Sequence, residues 1–503
     1  MSFTDHHYLL LILFLIPILV YTIRRKISST KSKLPPCPPK LPLIGNLHQM
    51  GTLPHQSLHA LSVKYGPLML LKLGQIPTLI VSSADMAREI MKTHDHIFAS
   101  RPSLMTAGII LYGSMDVVFA PYGEHWRQMR KLCVNHLLSP KAVQSFRRMH
   151  EEEVATMVAK ISEVSSSSGV VNMSETLNLF ASNAMLKAIS RKLFRDERRS
   201  RVICELNEET AAILGQFSVS DFMPLLAWFD MVFGVGARAK KTARLWDRVL
   251  HEIIEDCRNR RDSEVNTDFV NVLLALLEDN DMDFSLNKDI IKAVLQDMIA
   301  AGTETSSTAM DWCMAELVRN PEAMKKLQDE VRGIANTKPM ITDDDLSKMG
   351  YLKAVIKELL RLHPPVPLLI PRESMDHCEV QGFDIPKQTR VIVNAWSIGR
   401  DPNVWEAPEE FRPERFLDCA INFRGHDFEL IPFGAGRRIC PGMQFAVSTL
   451  ELALANLVRS FDWELPDGMN NEDLGMGDGP GLSARRRQSL LLVAKPFLGL
   501  KCM

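Results

Sequence analysis

The chain has 503 residues, 46% hydrophobic and 24% charged, an ordinary globular balance. A formal net charge of −1 leaves no electrostatic footprint for nucleic acid. The nine cysteines include no C-x-x-C pair and are odd in number, which argues against a disulfide framework or a structural zinc site.

The apolar run from Tyr8 to Ile23, interrupted by Pro17 and Thr22, is followed at once by Arg24, Arg25 and Lys26. A membrane span needs roughly 17–25 residues, so the flanks complete it. Basic residues after the run place the rest of the chain on the cytoplasmic side. A cleaved signal peptide would carry charge before the run and small residues at its end. Residues 1–26 therefore read as an N-terminal transmembrane anchor, and the Asn172-Met173-Ser174 sequon becomes irrelevant to glycosylation. Residues 27–45 contain Leu34-Pro35-Pro36-Cys37-Pro38-Pro39-Lys40-Leu41-Pro42, a stiff extended connector. Residues 46–503 form the body.

His55 to Tyr65 reads as a helix closed by Gly66-Pro67. Leu68 to Leu73 and Thr78 to Ser82 read as strands around a Gly-Gln-Ile-Pro turn. Helices dominate from Ala84. Ser165 to Gly169 and Arg258 to Asn266 read as loops, and Arg390 to Ala395 as a strand. The fold class is mainly α with a small β portion. Gly234 to Ala239 has the glycine spacing of a dinucleotide turn but no strand before it, so no nucleotide module is read there.

Leu286 to Arg319 contains no proline and stops at Asn320-Pro321. At about 1.5 Å per residue it predicts a helix of roughly 50 Å. Its centre, Ala300 to Thr308, replaces the apolar pattern with glycine, threonine, glutamate and serine. Such a segment weakens a helix interior, and so it marks a site. In Phe433-Gly434-Ala435-Gly436-Arg437-Arg438-Ile439-Cys440-Pro441-Gly442, three glycines and a proline frame one cysteine. Pro441 suits the first turn of a helix beginning there, whose N–H groups would favour a thiolate.

That run resembles the haem-binding signature F-x-x-G-x-R-x-C-x-G of the cytochrome P-450 superfamily, at Phe433, Gly436, Arg438, Cys440 and Gly442. Three more of the family's motifs occur in order. They are Ala301-Gly302-Thr303-Glu304-Thr305-Ser306, then Glu358-Leu359-Leu360-Arg361, then Pro413-Glu414-Arg415-Phe416. The wording is similar to the plant microsomal A-type group, the seventy-one clan, and the likeness spans essentially the whole chain. It implies the cytochrome P-450 fold, haem b ligated through Cys440, and reductive use of O2. Thr305, assisted by Glu304, would pass protons, and the thiolate would push electron density toward O–O cleavage. Glu358 and Arg361, one helical turn apart, would join Arg415 in a buried ion network. Trp126, Arg130, Arg372 and Arg438 would meet the haem propionates, since an arginine fork suits a carboxylate, and Phe433 would flank the cofactor. His125 and His363 read as packing or surface residues.

The resemblance further implies a lipophilic substrate, contacted at Ile110, Phe217, Ala301, Val366, Ile370 and Leu482. No flavin or nicotinamide module is visible, so electrons would come from an NADPH–cytochrome reductase in the endoplasmic reticulum membrane, with Arg127, Lys131 and Arg437 as docking charges. Two other readings use the same haem: a dehydratase or isomerase that needs no O2, against which Thr305 argues, and a haem carrier without catalysis, against which the proton-passing segment argues. This sequence departs from the family pattern at Lys387-Gln388-Thr389 and in the glycine-rich stretch Gly475 to Gly481. The second departure falls beside Leu482 and bars transfer of a substrate from relatives.

Overall fold

A computed structural model of the chain describes residues 33–497, except 168, 196, 217, 260–267, 279–285, 337 and 339. The expected anchor and Phe217 lie outside the described residues. Among those described, no helix is long and apolar enough to cross a membrane.

The longer helices are α1 (Pro54–Tyr65), α2 (Glu124–Leu132), α3 (Arg147–Ser167), α4 (Met173–Ser190), α5 (Glu197–Leu214) and α6 (Val235–Asn259). They continue with α7 (Lys288–Arg319), α8 (Pro321–Ala335), α9 (Gly350–Leu362) and α10 (Met443–Ser460). Shorter helices lie between them. The strands are β1 (Leu68–Leu73), β2 (Ile76–Val81), β3 (Val170–Asn172), β4 (Arg372–Glu373), β5 (Cys378–Val380), β6 (Phe383–Ile385), β7 (Arg390–Val393), β8 (Phe461–Glu464) and β9 (Leu491–Pro496). They build a four-stranded sheet in the order β1-β2-β7-β4, a three-stranded sheet β3-β9-β8 and the hairpin β5-β6. Among the described residues only β2 and β7 run parallel, and Leu79, Ile80 and Val81 are all buried, the continuous apolar run that two-sided cover requires.

The central helix α7 begins at Lys288, where the Asn287 side chain accepts the N–H of Ile290 at 2.9 Å. Its C-terminal half packs Met310, Trp312, Cys313 and Leu317 with α9 and α10. Its N-terminal half packs Ile290, Ile291, Val294 and Leu295 with α4 and α6. Each such side chain, fully buried, stabilises by about 1.5–3 kcal/mol. The polar centre of α7 therefore falls at the junction of two separate cores, where neither fills the space.

Several boundaries differ from the sequence reading. Strand β2 starts at Ile76, because its antiparallel pairing with β1 extends to Leu73 opposite Ile76; pairing with β7 begins only at Thr78, so Pro77 owes no N–H on that side. Strand β7 ends at Val393, where Asn394 turns the chain by accepting the N–H of Ser397 at 3.0 Å. The serine run is helical to Ser167, with Ser166 bonded back to the Ser162 carbonyl at 2.8 Å. Helix α10 starts at Met443 with Gly442 as its N-cap, so Pro441 precedes the helix and is not in its first turn. The connector also joins the body before residue 45: Leu70 donates to the Pro36 carbonyl at 2.9 Å, and Asn46 donates to those of Pro38 and Pro39.

Candidate active site

Beneath the polar centre of α7 lies a cavity with about 1410 Å³ of empty space, including its open mouth. Ala301, Gly302, Thr305 and Ser306 form one part of its wall. Phe433, Gly434, Arg438, Cys440, Pro441 and Gly442 form another. The backbone of the cysteine loop makes this placement possible. Gly434 and Gly436 adopt φ of 69° and 68°, and a Cβ on Gly436 would stand 2.3 Å from the Met91 carbonyl oxygen. Cys440 N–H donates to the Phe433 carbonyl at 3.0 Å and closes the loop. Burial holds the Cys440 thiol above its ordinary range, opposed by the N–H groups of Gly442 and Met443 and by the Arg130 guanidinium. The helix-start effect read from sequence is present, but burial outweighs it, and a cation at the sulfur would favour the thiolate.

Four arginines face the same cavity: Arg101, Arg130, Arg372 and Arg438. Arg438 donates to the carbonyls of Ala99 and Ala120, each at 2.7 Å, and lies 4.0 Å over the Trp126 ring. The Trp126 indole donates to the Val117 carbonyl at 3.1 Å, so its N–H is already engaged. Arg372 meets Asp95 at 3.2 Å and donates to the Ala435 carbonyl at 2.7 Å. Arg101 donates to the carbonyls of Val118, Ile370 and Pro371. The Arg130 guanidinium, half-buried, makes no hydrogen bond to the described residues. Burial holds all four guanidiniums below their ordinary range, and Arg438 and Arg372 add repulsion at Arg101. Such a concentration of buried cations suits an anionic ligand.

The cavity wall also carries Asp297, which accepts the N–H of Val117 at 2.7 Å. Asp116, fully buried, accepts the N–H of Phe119 and stands against Asp297. Burial, then the Asp116 carboxylate, pushes Asp297 far up. Burial pushes Asp116 up to about 7, opposed by the N–H groups of Phe119 and Ala120, then by Arg101 and Arg438.

Of the residues expected at the substrate, Ala301, Val366 and Ile370 line the cavity. Ile110 does not; it is packed in the core with α6. Leu482 does not either, lying against Gly215 at the end of α5. Thr305 lines the cavity with its hydroxyl donated to the Ala301 carbonyl at 2.7 Å. Glu304, one residue earlier, is not part of the wall: its carboxylate pairs with Arg485 at 3.0 Å. Glu358, Arg361 and Arg415 meet outside the cavity. Arg361 exchanges two bonds with Glu358, Arg415 reaches the same carboxylate at 3.0 Å, and Arg361 also holds the carbonyls of Gly399, Pro408 and Glu410. His363 stacks on Trp312 and meets Glu316 at 2.7 Å, and His125 meets the Met115 carbonyl at 2.9 Å. Both are packing residues. Sequence reasoning missed Arg101, Asp116, Asp297 and Arg485, because no local spacing marks any of them.

The Cys440 loop, the polar centre of α7 and the buried arginines thus share one cavity, whose chemistry fits a flat anionic cofactor held at the sulfur. The chain matches the family model "Cytochrome P450" over residues 35–488. Cytochrome P450 71A9 of Glycine max is 48% identical over 484 residues, 95% of this chain and 96% of that protein. Phenylacetaldehyde oxime monooxygenase of Prunus mume is 44% identical over 501 residues, 96% and 95% of the two chains. The fold is shared with a zebra fish cytochrome P450 solved with progesterone, at a TM-score of 0.76 and 24% identity, covering 88% of this chain and 99% of that one. The chain belongs to the cytochrome P450 family, within the plant seventy-one clan. It is a monooxygenase whose cofactor is haem.

Proposed function

We propose that this enzyme inserts one oxygen atom from O2 into a lipophilic plant specialised metabolite. Electrons come from NADPH through a membrane-bound reductase, and the catalytic body is tethered to the endoplasmic reticulum by residues 1–26. The observation that carries the reading is that Cys440 and Thr305 line one apolar cavity. Cys440 would hold the haem, Arg130, Arg372 and Arg438 would meet its propionates, and Trp126 would brace Arg438 from below. Arg101 belongs to the same group. Bound haem supplies the reductive activation of O2 and the transfer of oxygen.

The remaining work falls to side chains of this chain. Met185, Met298, Val366, Leu369 and Ile370 exclude water and orient an apolar substrate by shape. Thr305 can turn its hydroxyl from the Ala301 carbonyl toward the cavity and pass a proton there, with Glu304 as the acid behind it. Reductase docking would use the basic side near the cysteine loop, where Arg437 is exposed beside Asp95. Cys440→Ser tests the reading. It should abolish the carbon-monoxide difference band of thiolate ligation, and an unaltered spectrum would overturn it. A spectral-binding screen of plant metabolite classes on the microsomal protein would then select the substrate class.

A further inference from the structure

We propose that Arg485 is a positioning residue for proton supply: its guanidinium holds the Glu304 carboxylate at the surface end of the path to Thr305, off the cavity wall. This rests on the reading of Glu304 as the acid behind Thr305. Arg485 Nε stands 3.0 Å from one oxygen of Glu304, and among the described residues the other oxygen has no hydrogen-bond partner. The Arg485 side chain is 40% exposed and that of Glu304 15%, so the pair bridges solvent and the helix. An isolated pair this exposed contributes little to stability.

The loop bearing Arg485 is held without it. Trp312 on α7 donates to the Ala484 carbonyl at 2.7 Å, and Ala484 donates to the Pro365 carbonyl at 2.9 Å. Arg486 donates to the Gly475 carbonyl at 2.9 Å. Gly479 donates to the Arg485 carbonyl at 2.6 Å, so the glycine-rich stretch shapes the backbone at Arg485 itself. With the loop seated by these bonds, the guanidinium is free to serve the carboxylate it faces. Glu304 is thereby turned toward water, from which protons come, while its neighbour Thr305 faces the cavity.

The test compares Arg485→Gln, Arg485→Lys, Glu304→Gln and the double variant R485Q/E304Q as holoenzymes. The infrared difference between wild type and E304Q isolates the Glu304 carboxylate band in ligand-free protein. R485Q should shift that band, and R485K should keep it. NADPH oxidation with reductase and O2, without added substrate, is then followed in H2O and D2O. R485Q should slow it by roughly tenfold, as loss of an orienting partner does, and raise the solvent isotope effect. R485K should restore both, and the double variant should be no slower than E304Q. An unmoved band in R485Q overturns the proposal. So does wild-type behaviour of R485Q where E304Q is slow, or a defect that R485K fails to rescue and that accompanies a lower melting temperature. If E304Q itself keeps the wild-type rate and isotope effect, the proton role of Glu304 fails, and the infrared band still reports whether the pair exists.

Discussion

Arg361 donates two hydrogen bonds to Glu358, of 2.7 and 2.9 Å, with neither side chain exposed to solvent. Arg415 and the Arg412 N–H complete the acceptor side of Glu358, and three backbone carbonyls complete the donor side of Arg361. Removing one member strands a buried charge. Glu358→Gln should cost roughly 3–5 kcal/mol of stability. Urea unfolding followed by tryptophan fluorescence checks this, and a loss under 1 kcal/mol would show that the site relaxes to admit water.

Arg130 and Arg101 face the same cavity and should fail differently. The Arg130 guanidinium has no hydrogen bond to the described residues, so Arg130→Leu should spare the haem-free fold. It should weaken haem binding by about 1.5–3 kcal/mol, a factor on the order of 10 to 100. Arg101→Met instead orphans the carbonyls of Val118, Ile370 and Pro371, at roughly 1–3 kcal/mol for each buried acceptor left unpaired. Haem transfer to apomyoglobin and melting of the haem-free proteins separate the two outcomes.

Thr305→Ala removes a hydroxyl that, among the described residues, donates only to the Ala301 carbonyl. Stability should change by no more than about 0.5 kcal/mol. The fraction of reducing equivalents lost as hydrogen peroxide should rise severalfold with reductase present. Unchanged peroxide yield would remove Thr305 from proton transfer.

The Asp116–Asp297 pair makes stability depend on pH. Both folded-state pKa values lie above that of an unfolded aspartate, near 3.9. Between that value and about 7 at Asp116, the folded chain holds a proton that the unfolded chain has released. The contribution of this pair to stability is therefore greatest below the unfolded value and falls as pH rises through this window. Asp116→Asn keeps an acceptor for the Phe119 N–H and should flatten the fall. Melting temperatures of wild type and variant at pH 5 and pH 8 give the comparison, and parallel changes in the two proteins would show that no proton is held there.

The legible part of the site is the part that is local in the chain. Glu358 and Arg361 are three residues apart, and the cysteine loop carries its glycines, arginine and cysteine within one run, Phe433 to Gly442. The central helix announced itself through a polar interruption in an apolar pattern. Glu304 and Thr305 are adjacent in that motif, yet successive helical residues point about 100° apart. One therefore meets the cavity and the other meets Arg485.

Sequence by itself determined the helical class, the long central helix, the cysteine loop and the ion network. Each is encoded by residue type at short spacing, where covalent geometry sets who can meet whom. Tertiary structure decided that Arg101 joins the cavity, that Asp116 and Asp297 stand together, that Ile110 and Leu482 lie off the wall, and that Arg485 reaches Glu304. Those contacts join positions up to 270 residues apart. Only packing of the two cores on either side of α7 brings them within hydrogen-bonding range, and no local spacing records it.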